Sequence, residues 1–229
     1  MSVISESASG NINVIEESKT PFGIPIDYGF SKPASEQMIQ RAAEALRKHN
    51  FVVEVVDTTA DARTFVKSIL PKGKTVFTAA SETLRLSGIE EDINNSGDYI
   101  SIRPQLVKMD RNTQMAEMKR LSATPDVVVG SVHAVTEDGN LVAASASGSQ
   151  FGPYSSGAGK AIFVVGAQKV VPDLETALRR IKSYSYPKED TRMREKYNMP
   201  SALLKILIMM GDWPVTRSTV VLIREPIGF

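Results

Sequence analysis

Two short runs constrain this chain more than anything else in it. Residues 126–130 read Asp-Val-Val-Val-Gly, and residues 161–165 read Ala-Ile-Phe-Val-Val. Runs that stay apolar at every position, without polar alternation, suit strands covered on both faces, and such strands belong to parallel sheets sandwiched by helices. The rest of the chain supplies the helices. After Ser35, the residues Met38, Ile39, Ala42, Ala43 and Leu46 fall on one helical face, with Glu36 in the first turn where the helix dipole favours an anion. Residues 51–56 are a β-branched strand. Thr58 and Asp61 cap a second helix that buries Ala62, Phe65, Val66 and Ile69 and stops at Pro71. Lys72-Gly73-Lys74 turns into a strand at 75–78. The pattern then predicts a short helix at 81–86, a strand at 99–103, and a helix at 113–121 with Met115, Met118 and Leu121 inward. Asp173 caps a helix carrying Leu174, Ala177, Leu178 and Ile181; the apolar run 201–210 reads as a buried helix, and 219–223 as a late strand. This order predicts an α/β fold: a three-layer sandwich around a mainly parallel sheet.

With 229 residues, the chain has room for one substantial core, and we assign residues 31–229 to a single α/β domain. Residues 1–30 form an N-terminal arm. Its Ser, Glu, Asn, Pro and Gly content predicts poor order, while the alternation of Ile24, Ile26, Tyr28 and Phe30 would equally suit an added strand or a clasp on a neighbouring subunit. There is no cysteine, which excludes disulfides, thiolate catalysis and an intrinsic iron–sulfur cluster; other cofactors stay open. Only His49 and His133 offer imidazole, so no metal site is expected. The net charge of +1 gives no general attraction to nucleic acid. No run is long and apolar enough to span a membrane, and no secretory signal opens the sequence, so a cytoplasmic protein is expected.

The most informative stretch is 127–169. Asp138-Gly139 between the apolar flanks 132–136 and 141–144 predicts a hairpin with a type I′ turn. Together with the glycine-rich link that follows, the run FVVGAQKVVPDLETALRRIKSYSYP and the closing VVLIREPIGF, this hairpin resembles the LUD (lactate utilisation) domain family, over roughly residues 35–229. The resemblance implies a fold like the NagB/RpiA/CoA-transferase group. It also implies a role in L-lactate oxidation in bacteria, alongside separate iron–sulfur oxidase proteins. The Glu-Asp-Gly turn is similar to the Glu-Asn-Gly turn that holds the nucleophilic glutamate of CoA transferases. Glu137 is therefore either an acyl-group nucleophile or an exposed flank of the hairpin.

In an open parallel sheet, ligands bind outside the carboxyl ends of the strands. That rule selects Thr78 and Ser81 after one strand, and Gly130 and Ser131 after another. His133 follows closely, either as a general base or as a structural histidine. Thr136 and Gly139 of the turn, and Gly148, Ser149 and Gly152 of the glycine-rich link, would wall a site rich in N–H and hydroxyl donors for a small anionic metabolite. The link lacks the spacing of a nucleotide-binding P-loop: Tyr154 stands where its first glycine would be. Arg179, Arg180 and Lys182 begin a modest basic stretch that reads as a solvated helix face interrupted by acids. Three functions remain open: a component of organic-acid oxidation, an independent acyl-CoA or sugar-phosphate enzyme, and a non-catalytic acid-binding or assembly protein.

Overall fold

Side-chain caps start the first two helices where the sequence places them. The structure, a computed structural model, describes residues 18–229. Ser35 caps α1 (Glu36–Lys48) by accepting from the Met38 N–H. Thr58 and Asp61 form a reciprocal capping box on α2 (Thr59–Ile69), an arrangement worth about 1 kcal/mol. Between them runs β1 (Val52–Val56); β2 (Thr75–Thr78), α3 (Glu82–Leu86) and α4 (Ile89–Asn95) follow. The strand expected at 99–103 is only β3 (Ile100–Ser101), because Pro104 sits in the first turn of α5 (Arg103–Lys108), where its missing N–H costs nothing. In α6 (Met115–Ala123), Met115 is exposed and Met118 half-buried, so of the three residues expected inward it is Leu121 that packs on the core.

The apolar runs become β4 (Val127–Gly130) and β7 (Lys160–Gly166), central in a six-stranded sheet of order β1-β10-β7-β4-β2-β3, where β10 is Ser218–Ile223. Every pairing in this sheet is parallel. One face is covered by α2, α3 and α4 through Ala62, Val66, Leu84, Ile89 and Ile93, packed on Val127, Val129, Ile162 and Val164. The other face is covered by α1 and by a second sheet, which the sequence reading did not anticipate.

That second sheet has the order β8-β5-β6-β9: Val170–Val171, Ala134–Thr136, Leu141–Ser145 and Lys205–Met209. The expected hairpin is β5–β6, but its turn differs from type I′. Gly139 takes the positive φ (89°) and donates its N–H to Thr136 O, whereas Asp138 stays at negative φ. This is the pattern of a type I turn followed by a left-handed glycine, which spares a non-glycine residue the strained conformation. The run expected as a buried helix at 201–210 is instead β9, paired antiparallel with β6. Leu207 and Met209 pack on the core, while Ile206 and Ile208 are exposed on the other face. Beyond this sheet lie α7 (Leu174–Arg180) and α8 (Tyr186–Tyr197), joined by a π-wound segment, Ile181–Ser185.

Residues 1–17 of the expected arm lie outside the described residues. Its remainder turns back on itself through the Lys19–Pro25 bridge and packs on the domain: Ile26 is buried, and the Asp27 N–H donates to Ser183 O. Among the described residues, no helix is long and apolar enough to cross a membrane.

Candidate functional site

Four chain segments converge at the carboxyl ends of β2, β4 and β7. After β2, the first turn of α3 carries buried Thr83. After β4 comes half-buried Ser131, then His133 on the way to β5. After β7, one 3₁₀ turn, Ala167–Lys169, buries Gln168 and Lys169. Arg180, the last residue of α7, reaches in from beyond the second sheet.

Lys169 is 2% exposed, and its Nζ donates to Thr83 Oγ1 (2.8 Å) and Ser131 Oγ (3.0 Å). Those hydroxyls in turn donate to Ile227 O and Val132 O, which fixes the direction of each bond. Burial, reinforced by the Arg180 charge, drives the Lys169 amine well below the ordinary lysine range. Arg180 is wholly buried and drawn down to about 10 by desolvation. Its Nε donates to Gln168 O, its Nη1 to His133 O and Ser185 Oγ, and its plane lies over the Tyr184 ring. Its Nη2 has no partner; among the described residues it is the one sealed side-chain nitrogen or oxygen so left. No described carboxylate bonds to either cation.

His133 accepts the Ala144 N–H at Nδ1 (3.0 Å), so a neutral ring carries its proton on Nε2. Burial first, then the Lys169 and Arg180 charges, push its pKa down to about 3. At neutral pH it is therefore a hydrogen-bond donor through Nε2 and not a cation. The stretch 225–228 lies over the cluster. Gln168 holds it by donating to Ile227 O and Gly228 O and accepting from Ile227 N. Gly228 has φ 72°, and a Cβ there would collide with Thr83.

A model of the LUD domain matches residues 39–202. The chain belongs to the LUD domain family. A crystal structure of a DUF162 family protein from Deinococcus radiodurans, at 1.70 Å resolution, superposes with a TM-score of 0.50 at 9% identity, covering 83% of this chain and 99% of that one. At that identity the likeness speaks for a shared fold and nothing finer. None of the curated proteins compared with the chain matches it.

Set against this LUD-domain cluster, the residues selected from sequence divide. Ser131 and His133 are in it. Gly130 ends β4 beneath it, and a Cβ there would run into the Tyr154 hydroxyl, which donates to Ser131 O (3.1 Å). Thr78 is buried and donates to Asn94 Oδ1, and Ser81 caps α3 through the Leu84 N–H. Both sit at the expected strand end without touching Lys169. The hairpin turn goes elsewhere. Glu137 pairs with Arg41 of α1, and Thr136 bonds to Asp138 and Asn140 within the turn. A Cβ on Gly139 would meet the Ala45 carbonyl carbon at 2.8 Å. Ala45 and His49 close the end of α1 that leads into the start of β1, so the turn lies towards the amino ends of the parallel strands. Gly148 packs on Lys205, while Ser149 and Gly152 are exposed.

Sequence reasoning missed Thr83, Gln168, Lys169 and Arg180. Gln168 and Lys169 directly follow an all-apolar strand, where the strand-end rule already pointed. Arg180 lies three residues after Ala177 and so on its inward face; it had been assigned to a solvated surface, and its burial corrects that assignment. An open groove of about 650 Å³ beside Ile24, Pro25, Leu178 and Tyr186 gathers no comparable set of buried polar groups.

Proposed function

We propose that this LUD-domain protein serves the oxidation of L-lactate or a related small organic acid in the cytoplasm, binding the acid's carboxylate at the Ser131–His133–Lys169–Arg180 cluster. The observation that carries this reading is a buried guanidinium, Arg180, beside a buried amine, Lys169, with no carboxylate bonded to either among the described residues and one sealed N–H group unpaired. Leaving such groups uncompensated is costly, and a bound anion supplies the missing charge and acceptor. His133, half-buried, would offer its Nε2–H to a second oxygen of the ligand. With no cysteine in these 229 residues the chain holds no thiolate-ligated cluster, and iron–sulfur subunits are the partners we assign to carry the electrons away.

Titration calorimetry with L-lactate, pyruvate and acetamide tests the binding half. The two carboxylates should bind and the uncharged amide should not, and Arg180→Leu should abolish binding in a folded protein. Equal response to acetamide would refute carboxylate recognition. Glu137→Gln, at a side chain already paired with Arg41, should leave affinity unchanged.

A further inference from the structure

We propose that Lys169 is a covalent catalytic residue: its amine forms an imine with the carbonyl carbon of a 2-oxo acid held at this cluster. The inference rests on the carboxylate-binding reading above and adds a reaction to it. Hydrogen-bond arithmetic comes first. A neutral amine has two N–H groups and one lone pair. Lys169 gives one N–H to Thr83 Oγ1 and one to Ser131 Oγ, and both hydroxyls spend their own protons on backbone carbonyls. The lone pair is then left without a donor, which is the state of a nucleophile. An ammonium in the same place would hold a third N–H with no acceptor.

The surroundings keep the amine in that state. Lys169 is buried beside the Arg180 cation, and the bonds made by Thr83, Ser131, Gln168, His133 and Arg180 bring no carboxylate to it. Burial and a neighbouring positive charge are the usual means of activating a lysine towards carbonyls. The same neighbours select the substrate class. Arg180 offers its free Nη2 to a carboxylate, and His133 offers Nε2–H to an oxygen. An amine nucleophile beside a carboxylate receptor suits a carbonyl adjacent to a carboxylate.

The step balances without an external oxidant or reductant. The Lys169 nitrogen lone pair forms a bond to the carbonyl carbon as the C=O π pair moves to oxygen. The proton lost from nitrogen and one further proton, relayed from solvent past His133, convert that oxygen to water, which leaves as the C=N bond forms; the iminium so made then returns its remaining N–H proton to solvent, leaving the neutral imine. Hydrolysis reverses each step. Ligand entry requires the stretch 225–228 to lift from Thr83 and Gln168.

The experiment is reductive trapping on the full chain. Wild type is incubated with pyruvate and cyanoborohydride, with and without excess L-lactate, which has a carboxylate but no carbonyl. Intact mass and peptide mapping locate the adduct, and calorimetry with pyruvate runs in parallel. We expect one reduced adduct on Lys169, suppressed by L-lactate and absent from Lys169→Met. Gly228→Ala, which loosens the cover, should speed its formation. Pyruvate binding with no adduct on Lys169, or adducts confined to exposed lysines, overturns the imine and leaves the carboxylate reading standing. An adduct on Lys169 that L-lactate does not suppress supports the imine and overturns the carboxylate reading. Neither binding nor adduct overturns both. Because the decisive measurement is made on wild type, misfolding of a variant does not blunt it.

Discussion

Replacing Lys169 by Met should stabilise the protein, although Lys169 makes two good hydrogen bonds. The two side chains are similar in length, so the swap leaves little cavity. What is lost is the pair of bonds from Nζ to Thr83 and Ser131, each worth about 1 kcal/mol net. Both hydroxyls keep their own bonds to Ile227 O and Val132 O, so no buried donor is orphaned. What is gained is release from burying an amine next to Arg180. Exchanging buried ionic groups for apolar ones of similar volume typically stabilises by about 1–4 kcal/mol. The balance favours Met by about 0.5 kcal/mol, or roughly 1–2 °C in Tm for a chain of this size. The effect should depend on pH. Lys169 titrates lower in the folded than in the unfolded chain, so the unfolded state binds more protons and wild-type stability rises with pH towards the unfolded value of 10.5. The advantage of Met should shrink over the same range. Urea unfolding of both proteins at pH 7 and pH 10 measures this. A loss of about 2 kcal/mol or more, or a gain that ignores pH, would mean that Lys169 is a structural tie and that its burial exacts no electrostatic cost.

Three further outcomes are expected. His133 has its pKa lowered from 6.5 to about 3 in the folded state, so stability is complete above pH 6.5 and falls as pH drops towards 3; His133→Gln should flatten that slope in unfolding midpoints measured across the range. Gly139→Val should cost about 1–3 kcal/mol, from a positive φ and contact with Ala45, and an unchanged denaturation midpoint would contradict the turn geometry. Gly130→Ala should cost about 1–3 kcal/mol by driving its methyl into buried Tyr154, with partial recovery in the Gly130→Ala, Tyr154→Phe double variant, read by thermal melts.

Consecutive residues carried most of the parallel sheet. Val127–Gly130 and the run through Phe163 are apolar at every position, and only burial on both faces accommodates that, so their central place follows from pattern alone. The caps at Thr58 and Asp173 were equally legible, because an N-cap bonds only two or three residues ahead. The strand-end rule led to Ser131 and His133 for the same reason: it needs only the place where a strand stops. Residues 201–210 were not legible as a strand, since a short apolar run has no period that separates helix from strand. Pairing with β6, sixty residues earlier in the chain, decided it. For Glu137 the sequence left two readings open, nucleophile or hairpin flank; where its turn sits is set by Gly139 against Ala45, a contact no local pattern encodes. The core of the site was hidden most deeply. Lys169 meets Thr83 across 86 residues of sequence, and Arg180 meets His133 across 47. A charged side chain reads as solvent-facing until its neighbours are known, because the cost of burying it is set by groups that folding alone brings beside it.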